Sequence, residues 1–582
     1  MRTESFVGAS WPWKVYIALF TLLFAVLAGR LFYLQVVRGE YYHALSDRNH
    51  LRIVPRPAPR GVITDRNGVV LADNEAAFML SAVYSEFDST RAPLLAGLLG
   101  MEETELDSLL EMASVKPFQP YLLEDGLSVE EVSGVADNLH RMGGVLLDVV
   151  PKRRYPQGEL LCHLIGYVGY SELESTGHGG LVGRAGLEMV LEDHLSGEPG
   201  YRKEVVDALG RVVEEFGGTQ TVQPSPGSDL MLTIDARLQR IAESAVRATG
   251  CPGAVVVLDY ATGEVLCLAS LPGYNPNRIV SGLSQSEWQA IVDDRANPLL
   301  GRAWAASYPP ASTFKVVTAA YLLERGLIDR DYKPDPCYGT YHLGGTDFGC
   351  WKAHGRLAVV DALSYSCNIF FYQTIQLGSL DDLAAYCRTL GLGSHTTSVL
   401  PGEREGLVPD SKELDRLYGR DGWGLGNLLN VSVGEGELLT TPIQMAMVTG
   451  LFASRGGMPP LRIVYRPREL EDSLRLEVDR PPAQLSDRTV EVVEEGMRLA
   501  VEDPEGTLSD AFSDFAWKFY GKTGTAEVPG EAHAWVVGYL KKPRTIAVAL
   551  ILEHGGGGGT AGAPVAERIL TEYLEGEVHE DG

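Results

Sequence analysis

Three short strings define the chemistry open to this chain: Ser312-Thr-Phe-Lys315, Ser366-Cys-Asn368 and Lys522-Thr-Gly-Thr525. A serine and a lysine three residues apart on a helix share one face, so the amine can touch the hydroxyl. Pro309 and Pro310 precede Ser312, and the apolar run Val316-Val-Thr-Ala-Ala-Tyr-Leu-Leu323 follows Lys315. This places Ser312 at or near the N-terminus of a buried helix, where the helix dipole favours developing negative charge. Lost hydration lowers the pKa of Lys315 toward that of a working base. Ser366 adds a second hydroxyl that can relay a proton to a leaving amine, and the Asn368 amide can orient Lys315 or bind a substrate amide. Lys522 brings a second cation. Each string alone is commonplace, since S-x-x-K fits any helix surface and S-x-N fits any cap or turn. Their order and context together describe a serine acyl-transfer site.

The elements needed to position these groups are visible around them. Asp229-Leu-Met-Leu-Thr-Ile234 reads as a short strand, and Asp235 can cap a helix in which Leu238, Ile241, Ala242, Ala245 and Val246 repeat on one face. Strands at 254–258 and 265–269 flank a turn at Ala261-Thr-Gly263. The far end mirrors this, with strands at 534–540 and 545–552 and then a helix with Val565, Ile569, Leu570 and Tyr573 on one face. Strands recruited from both ends, with helices between them, suit an α/β sandwich around an antiparallel sheet. The glycines Gly555–Gly559 read as a flexible strand-to-helix loop, because no P-loop lysine follows them.

The three strings resemble the signature of penicillin-binding proteins and serine β-lactamases, and the whole chain resembles a class B penicillin-binding protein of the elongation type, PBP2. Supporting strings are Arg60-Gly-Val-Ile-Thr-Asp-Arg-Asn-Gly68, Arg154-Tyr-Pro156, Gly183-Arg-Ala-Gly-Leu-Glu188, Asn275-Pro276, Arg302-Ala303 and Gly434-Glu-Gly-Glu-Leu-Leu-Thr-Thr-Pro442. The resemblance implies the serine β-lactamase/transpeptidase fold, with helices flanking an antiparallel sheet. It also implies an extended α+β pedestal of the dimerisation type and one N-terminal transmembrane helix. The implied activity is a D,D-transpeptidase that cross-links peptidoglycan stem peptides through a Ser312 acyl-enzyme and is acylated by β-lactams. Ser312, Lys315, Ser366, Asn368 and Lys522 carry the catalysis. Gly524 lets substrate backbone approach as an added strand, Thr523 and Thr525 bind a terminal carboxylate, and the N–H groups of Ser312 and Thr525 form the oxyanion hole. The implied partners are a SEDS glycosyltransferase of the RodA type and an MreC-like scaffold. Two departures stand out: Ala311 where the family often has glycine, and Glu435 where glutamine is common.

The expected domains are a cytoplasmic tail at 1–14, an anchor at 15–37, a pedestal at 38–225, a transpeptidase domain at 226–577 and an acidic tail at 578–582. The anchor is the run from Val15 to Val37, interrupted by Arg30, which can snorkel to the interface. Arg2 and Lys14 before it predict a cytoplasmic N-terminus and a catalytic domain outside the membrane. The balance of 50 basic and 77 acidic residues gives a net charge of −27, which argues against nucleic acid as a partner.

Catalysis needs no cofactor, but Cys337, Cys350, His354 and Cys367 carry ligand types suited to a tetrahedral structural zinc. A Cys337–Cys350 disulfide and unrelated buried thiols are the competing readings. Cys162, Cys251, Cys267 and Cys387 read as small core residues. Other functional classes also fit the motifs: a D,D-carboxypeptidase or β-lactamase, a division-type transpeptidase, and a non-catalytic β-lactam-binding regulator.

Overall fold

The computed structural model describes residues 11–40, 51–170, 181–206, 212–215, 221–467 and 483–578. The calls on Arg2 and on the tail beyond residue 578 lie outside the described residues. The anchor is an α-helix, Trp11–Phe32, continued by a π-helical turn, Tyr33–Val37. Its start is four residues earlier than expected, with Pro12 in the first turn where a missing N–H is harmless. The stretch Trp13–Val37 has a mean hydropathy of 2.2 and is long and apolar enough to cross a membrane by length and composition. The guanidinium groups of Arg30 and Arg38 both lie over the Tyr33 ring, at 5.5 and 5.9 Å.

The pedestal is built on the long strand Val70–Val83, paired antiparallel with Pro120–Leu127 on one side and Val145–Arg154 on the other. The chain turns at Asn67-Gly68: Asp65 Oδ1 accepts from the N–H groups of Asn67 and Val69, at 2.8 and 2.7 Å, and Gly68 takes a φ of +84°. Helices Ala92–Leu99 and Glu103–Ser114 cover the outer end through Leu80, Leu95, Leu106 and Leu123.

The catalytic body centres on a five-stranded antiparallel sheet in the order Glu264–Leu271, Gly253–Asp259, Ile546–Leu552, His533–Leu540, Phe519–Ala526. Both faces are buried, which explains why the first four of these strands read as largely apolar runs. Helices Ala236–Arg247 and Ala563–Val578 cover one face through Leu238, Val246, Ile569 and Tyr573. Helices Lys315–Glu324 and Pro442–Ala453 pack on the other side with Val317 and Val448. Each aliphatic side chain so buried contributes about 1.5–3 kcal/mol. Asp235 caps its helix as expected, accepting from Arg237 N at 2.9 Å and Leu238 N at 3.1 Å.

The short strand expected to open the catalytic domain, Leu230–Leu232, instead knits the two bodies together. It pairs in parallel with Ile63–Thr64 of the pedestal and antiparallel with Val464–Arg466 of the catalytic body. Asp65 Oδ2 accepts from Ala236 N at 3.0 Å, Arg66 pairs with Glu264 at 3.1 Å, and the Asn277 amide clips the backbone of Tyr155 at 2.9 and 2.8 Å.

Candidate active site

All three strings converge on one cluster. Ser312 lies in a 3-10 turn, Ala311–Phe314, that feeds the α-helix Lys315–Glu324. The first turn is therefore tighter than the α-helical turn that the spacing predicts. Ser312 is partly exposed, while Ala311, Thr313, Phe314 and Lys315 around it are buried. The turn is held from behind by Trp535, whose Nε1 donates to the Pro309 carbonyl at 3.0 Å.

Lys315 Nζ donates to Ser312 Oγ at 3.0 Å, to the Ser366 carbonyl at 2.8 Å and to Asn368 Oδ1, and it lies 3.2 Å from Ser366 Oγ. Lys522 Nζ reaches the same Ser366 Oγ at 2.9 Å and the Thr523 carbonyl at 2.9 Å. The Ser366 hydroxyl thus sits between two amines, in the place a proton relay needs. Burial pulls the pKa of Lys315 down to about 8, while Cys350, Cys367 and Glu435 nearby hold it up. Burial, then the charge of Lys315, pushes Lys522 well below its ordinary value. Lys315 can therefore accept the proton of Ser312 near neutral pH.

Two residues beside the chemistry hold left-handed backbone. Ala311 has a φ of +50° and Ser366 a φ of +55°. Such conformations cost of order 1–3 kcal/mol and persist where surroundings over-determine them. At Ser366 the twist turns the carbonyl to Lys315. At Ala311 it explains why glycine is the more comfortable residue there.

The strand Phe519–Ala526 forms the sheet edge. Lys522 and Thr523 are buried, and Thr525 is exposed. Thr523 Oγ1 donates to Thr507 Oγ1 at 2.9 Å, so Thr507 is a site neighbour with no signature in the sequence. Thr525 Oγ1 accepts from Gly558 N at 3.1 Å, leaving its own proton free to donate. The glycine run is consequently not a free loop. A β-carbon on Gly558 would lie 2.3 Å from the Gly524 carbonyl, so the run is pressed against the back of the third motif. Glu435 stands at the edge of the site, where burial, then the charge of Glu527, raises its pKa to about 7 against Lys315 and a hydrogen bond from the Glu527 N–H.

Beside the second motif, Cys337, Cys350, His354 and Cys367 place their ligand atoms within 4.8 Å of one another. All seven cysteines, Cys337 and Cys350 among them, are free thiols in this structure. His354 Nδ1 lies 3.7 Å from Cys337 Sγ and 3.5 Å from Cys350 Sγ. A tetrahedral zinc with bonds of about 2.3 Å to sulfur and 2.05 Å to nitrogen has an S···N edge of about 3.6 Å. The donor set and its spacing fit such an ion. Cys350 Sγ also accepts from Asn368 N at 3.3 Å, and Asn368 Nδ2 donates to the Gly349 carbonyl at 3.0 Å. The cluster thus braces the same asparagine that orients Lys315.

A serine–lysine pair, a second hydroxyl shared by two amines and a cationic sheet edge define a serine acyltransferase, and the comparisons agree: the chain belongs to the penicillin-binding protein transpeptidase family. Residues 253–571 match the penicillin binding protein transpeptidase domain, and residues 55–232 match the penicillin-binding protein dimerisation domain. The chain is 30% identical to the peptidoglycan D,D-transpeptidase MrdA of Escherichia coli K12 over 600 residues, covering 96% of this chain and 93% of the relative. The same identity holds against MrdA of Acinetobacter baumannii, over 96% of this chain and 86% of the relative. Among solved structures, PBP2 of Helicobacter pylori in complex with MreC superposes with a TM-score of 0.78 at 26% identity, covering 90% of this chain and all of that one. PBP2 of Pseudomonas aeruginosa in complex with WCK 5153 superposes with a TM-score of 0.68 at 26% identity, covering 90% and 97%. Within the family, this chain is a peptidoglycan D,D-transpeptidase of the elongation, PBP2 type.

Proposed function

We propose that Ser312 is the acylation nucleophile of this transpeptidase and Lys315 its base. Ser312 Oγ attacks the carbonyl of the penultimate D-Ala of a donor stem peptide as its proton passes to Lys315. The terminal D-Ala leaves as an amine, taking a proton relayed through Ser366 between Lys315 and Lys522. An amine of a second stem then attacks the acyl carbon, its proton returns through the same relay to Ser312 Oγ, and the cross-link is released. The N–H groups of Ser312 and Thr525 stabilise the oxyanion in both halves. Thr523 and Thr525 receive the terminal carboxylate, and Gly524 admits the peptide backbone. The observation that carries this reading is Lys315 Nζ at 3.0 Å from Ser312 Oγ, with burial lowering its pKa to about 8.

Cys337, Cys350, His354 and Cys367 hold a structural zinc in this reading. Four protein ligands leave no open position for substrate, so the ion's contribution is to fix Cys367 between Ser366 and Asn368. The chain is a single-pass protein of the cytoplasmic membrane, with a cytoplasmic tail at 1–14, a pedestal at 38–225 and a transpeptidase domain at 226–577 facing outward. Its pedestal and anchor meet an MreC-like scaffold and a RodA-type SEDS glycosyltransferase. This assignment draws on the H. pylori complex and on a solved peptidoglycan synthase complex that covers 97% of this chain at 29% identity.

The test is intact-mass analysis of the detergent-solubilised full chain with and without penicillin, beside Ser312→Ala. One penicilloyl adduct on the wild type and none on the variant is the expected result. No adduct on folded wild-type protein would sink the assignment.

A further inference from the structure

The three thiols beside the second motif differ in what they touch. Cys337 Sγ donates to the Lys352 carbonyl at 3.4 Å and faces His354 Nδ1 at 3.7 Å. Cys350 and Cys367 are in direct side-chain contact with each other. Cys350 Sγ also accepts from Asn368 N at 3.3 Å, and Asn368 Oδ1 accepts in turn from Lys315 Nζ. A path of direct contacts therefore runs from the Cys350 sulfur through Asn368 to the amine that faces Ser312. Cys367 stands between Asn368 and Ser366, whose carbonyl holds Lys315 from the other side. Cys337 and Cys367 are buried and Cys350 is half-buried, so Cys350 is the sulfur that a reagent from solvent meets first.

Sulfurs around a tetrahedral zinc with bonds of about 2.3 Å stand about 3.8 Å apart, each committed to the metal. A disulfide needs the same two sulfurs at about 2.05 Å, so closing one takes roughly 1.7 Å of movement. Cys367 is tied to the helix Val359–Ser364 by its N–H, which donates to the Ala362 carbonyl at 2.9 Å. Cys350 N donates to the Gly339 carbonyl at 2.9 Å, at the open end of the hairpin formed by Thr340–Leu343 and Thr346–Gly349. Closure thus draws the hairpin and the turn at 366–368 toward each other. Asn368 is bonded to that hairpin end twice, through its N–H to Cys350 Sγ and through Nδ2 to the Gly349 carbonyl at 3.0 Å, so it moves with them.

We propose that Cys350 and Cys367 are a thiol switch on the acylation site. Once zinc is lost, a low-molecular-weight disulfide oxidises the pair to a Cys350–Cys367 disulfide, which pulls Asn368 off Lys315 and silences Ser312. The inference rests on Ser312 as nucleophile and on zinc as the resident ion of the cluster. The Cys350 sulfur attacks one sulfur of the reagent, whose S–S bond breaks, and one thiol leaves with the proton of Cys350. The Cys367 sulfur then attacks Cys350 Sγ, the Cys350–Cys367 bond forms, and the second thiol leaves with the proton of Cys367. The pair gives up two electrons, and the two sulfurs of the reagent gain them. Cys337 is not the partner, because its sulfur is turned to the Lys352 carbonyl. An outward-facing catalytic domain lies where disulfides persist, so the bond lasts until a thiol reductant removes it.

The test uses the full chain in detergent, treated with glutathione disulfide with and without the chelator EDTA. Zinc content and the acylation rate of the reduced protein are measured first, so that a failure of either underlying reading is seen separately. Differential alkylation and peptide mapping then locate any disulfide, and a fluorescent penicillin reads acylation. Expected are a Cys350–Cys367 disulfide in the chelated protein, none in the zinc-loaded protein, and full reversal by dithiothreitol. Acylation should fall about 100-fold in the oxidised form, the loss that a displacement of about 1 Å brings. Cys350→Ser should acylate at one rate with or without the reagent. Cys337→Ser, which removes a zinc ligand but keeps the pair, should form the disulfide without chelator. The proposal is overturned by the absence of a Cys350–Cys367 disulfide, by a disulfide through Cys337 instead, or by a disulfide that leaves acylation unchanged. Equal oxidation with and without bound zinc, or an equal loss of acylation in Cys350→Ser, also overturns it.

Discussion

The Ala311 N–H donates to the Gly434 carbonyl at 2.8 Å, and a β-carbon on Gly434 would lie 2.0 Å from the Ala311 oxygen. Gly434, at a φ of +84°, is therefore the abutment against which the nucleophile's turn is set. Gly434→Ala must push Ser312 out of line with Lys315. Displacements of about 1 Å in such sites cost on the order of 100-fold in rate. A loss of that size in penicillin acylation is expected, read by stopped-flow with a fluorescent penicillin. Ala311→Gly relieves a left-handed alanine and should leave the melting temperature unchanged or higher, which calorimetry can check.

The pH dependence of acylation follows from Lys315. Only the neutral amine accepts the proton of Ser312, and the folded-state pKa lies near 8, below the ordinary lysine value. The second-order acylation rate should therefore rise with pH up to about 8 and then level. Glu435 is one of the groups holding that pKa up, so Glu435→Gln should move the rising limb to lower pH. Acylation rates measured from pH 6 to 9 on both proteins decide the point, and an unmoved or upward-shifted limb counts against Lys315 as base.

Behind the cleft, Glu553 Oε1 accepts from Arg302 Nε at 3.0 Å and from Tyr308 OH at 2.7 Å, with Arg302 almost fully buried. Removing one partner of a buried pair strands the other charge, at a cost of about 3–5 kcal/mol. Glu553→Ala should lower the unfolding free energy by that amount in a denaturant titration. A change under 1 kcal/mol would mean that solvent reaches Arg302.

For the cysteine–histidine cluster, purified protein should carry one zinc by elemental analysis. Cys350→Ser should lose the metal, melt earlier and acylate more slowly, because Asn368 N rests on the Cys350 sulfur. Cys387, buried and not one of the four clustered residues, serves as control: Cys387→Ala should keep the zinc.

How far the sequence carried the argument differs from residue to residue. Ser312, Lys315, Ser366, Asn368 and Lys522 were legible because acyl transfer needs those functional groups in a fixed order, and the Asp235 cap because capping is local. Four strands of the catalytic sheet were legible as apolar runs at both ends of the domain, whereas Phe519–Ala526, which carries the third motif, has no such run. Thr507 was not, because its role is a single contact with Thr523 across sixteen residues. Nor was the seat of Gly558 on Gly524: a run of glycines looks flexible until something is packed against it. The strand Leu230–Leu232 was found but assigned to one body, since a strand's own sequence does not name its neighbours on either side. The left-handed turns at Ala311 and Ser366 are imposed by distant partners and leave no trace in residue type.

The strand shared between pedestal and catalytic body has a mechanical meaning. A swinging joint between the two would have to break its ladder, together with the Asp65–Ala236 and Asn277–Tyr155 clamps. A torque applied to the pedestal therefore bears on the catalytic body through these contacts, as on a crank. Whatever grips the pedestal steers where in the wall the next bond is made.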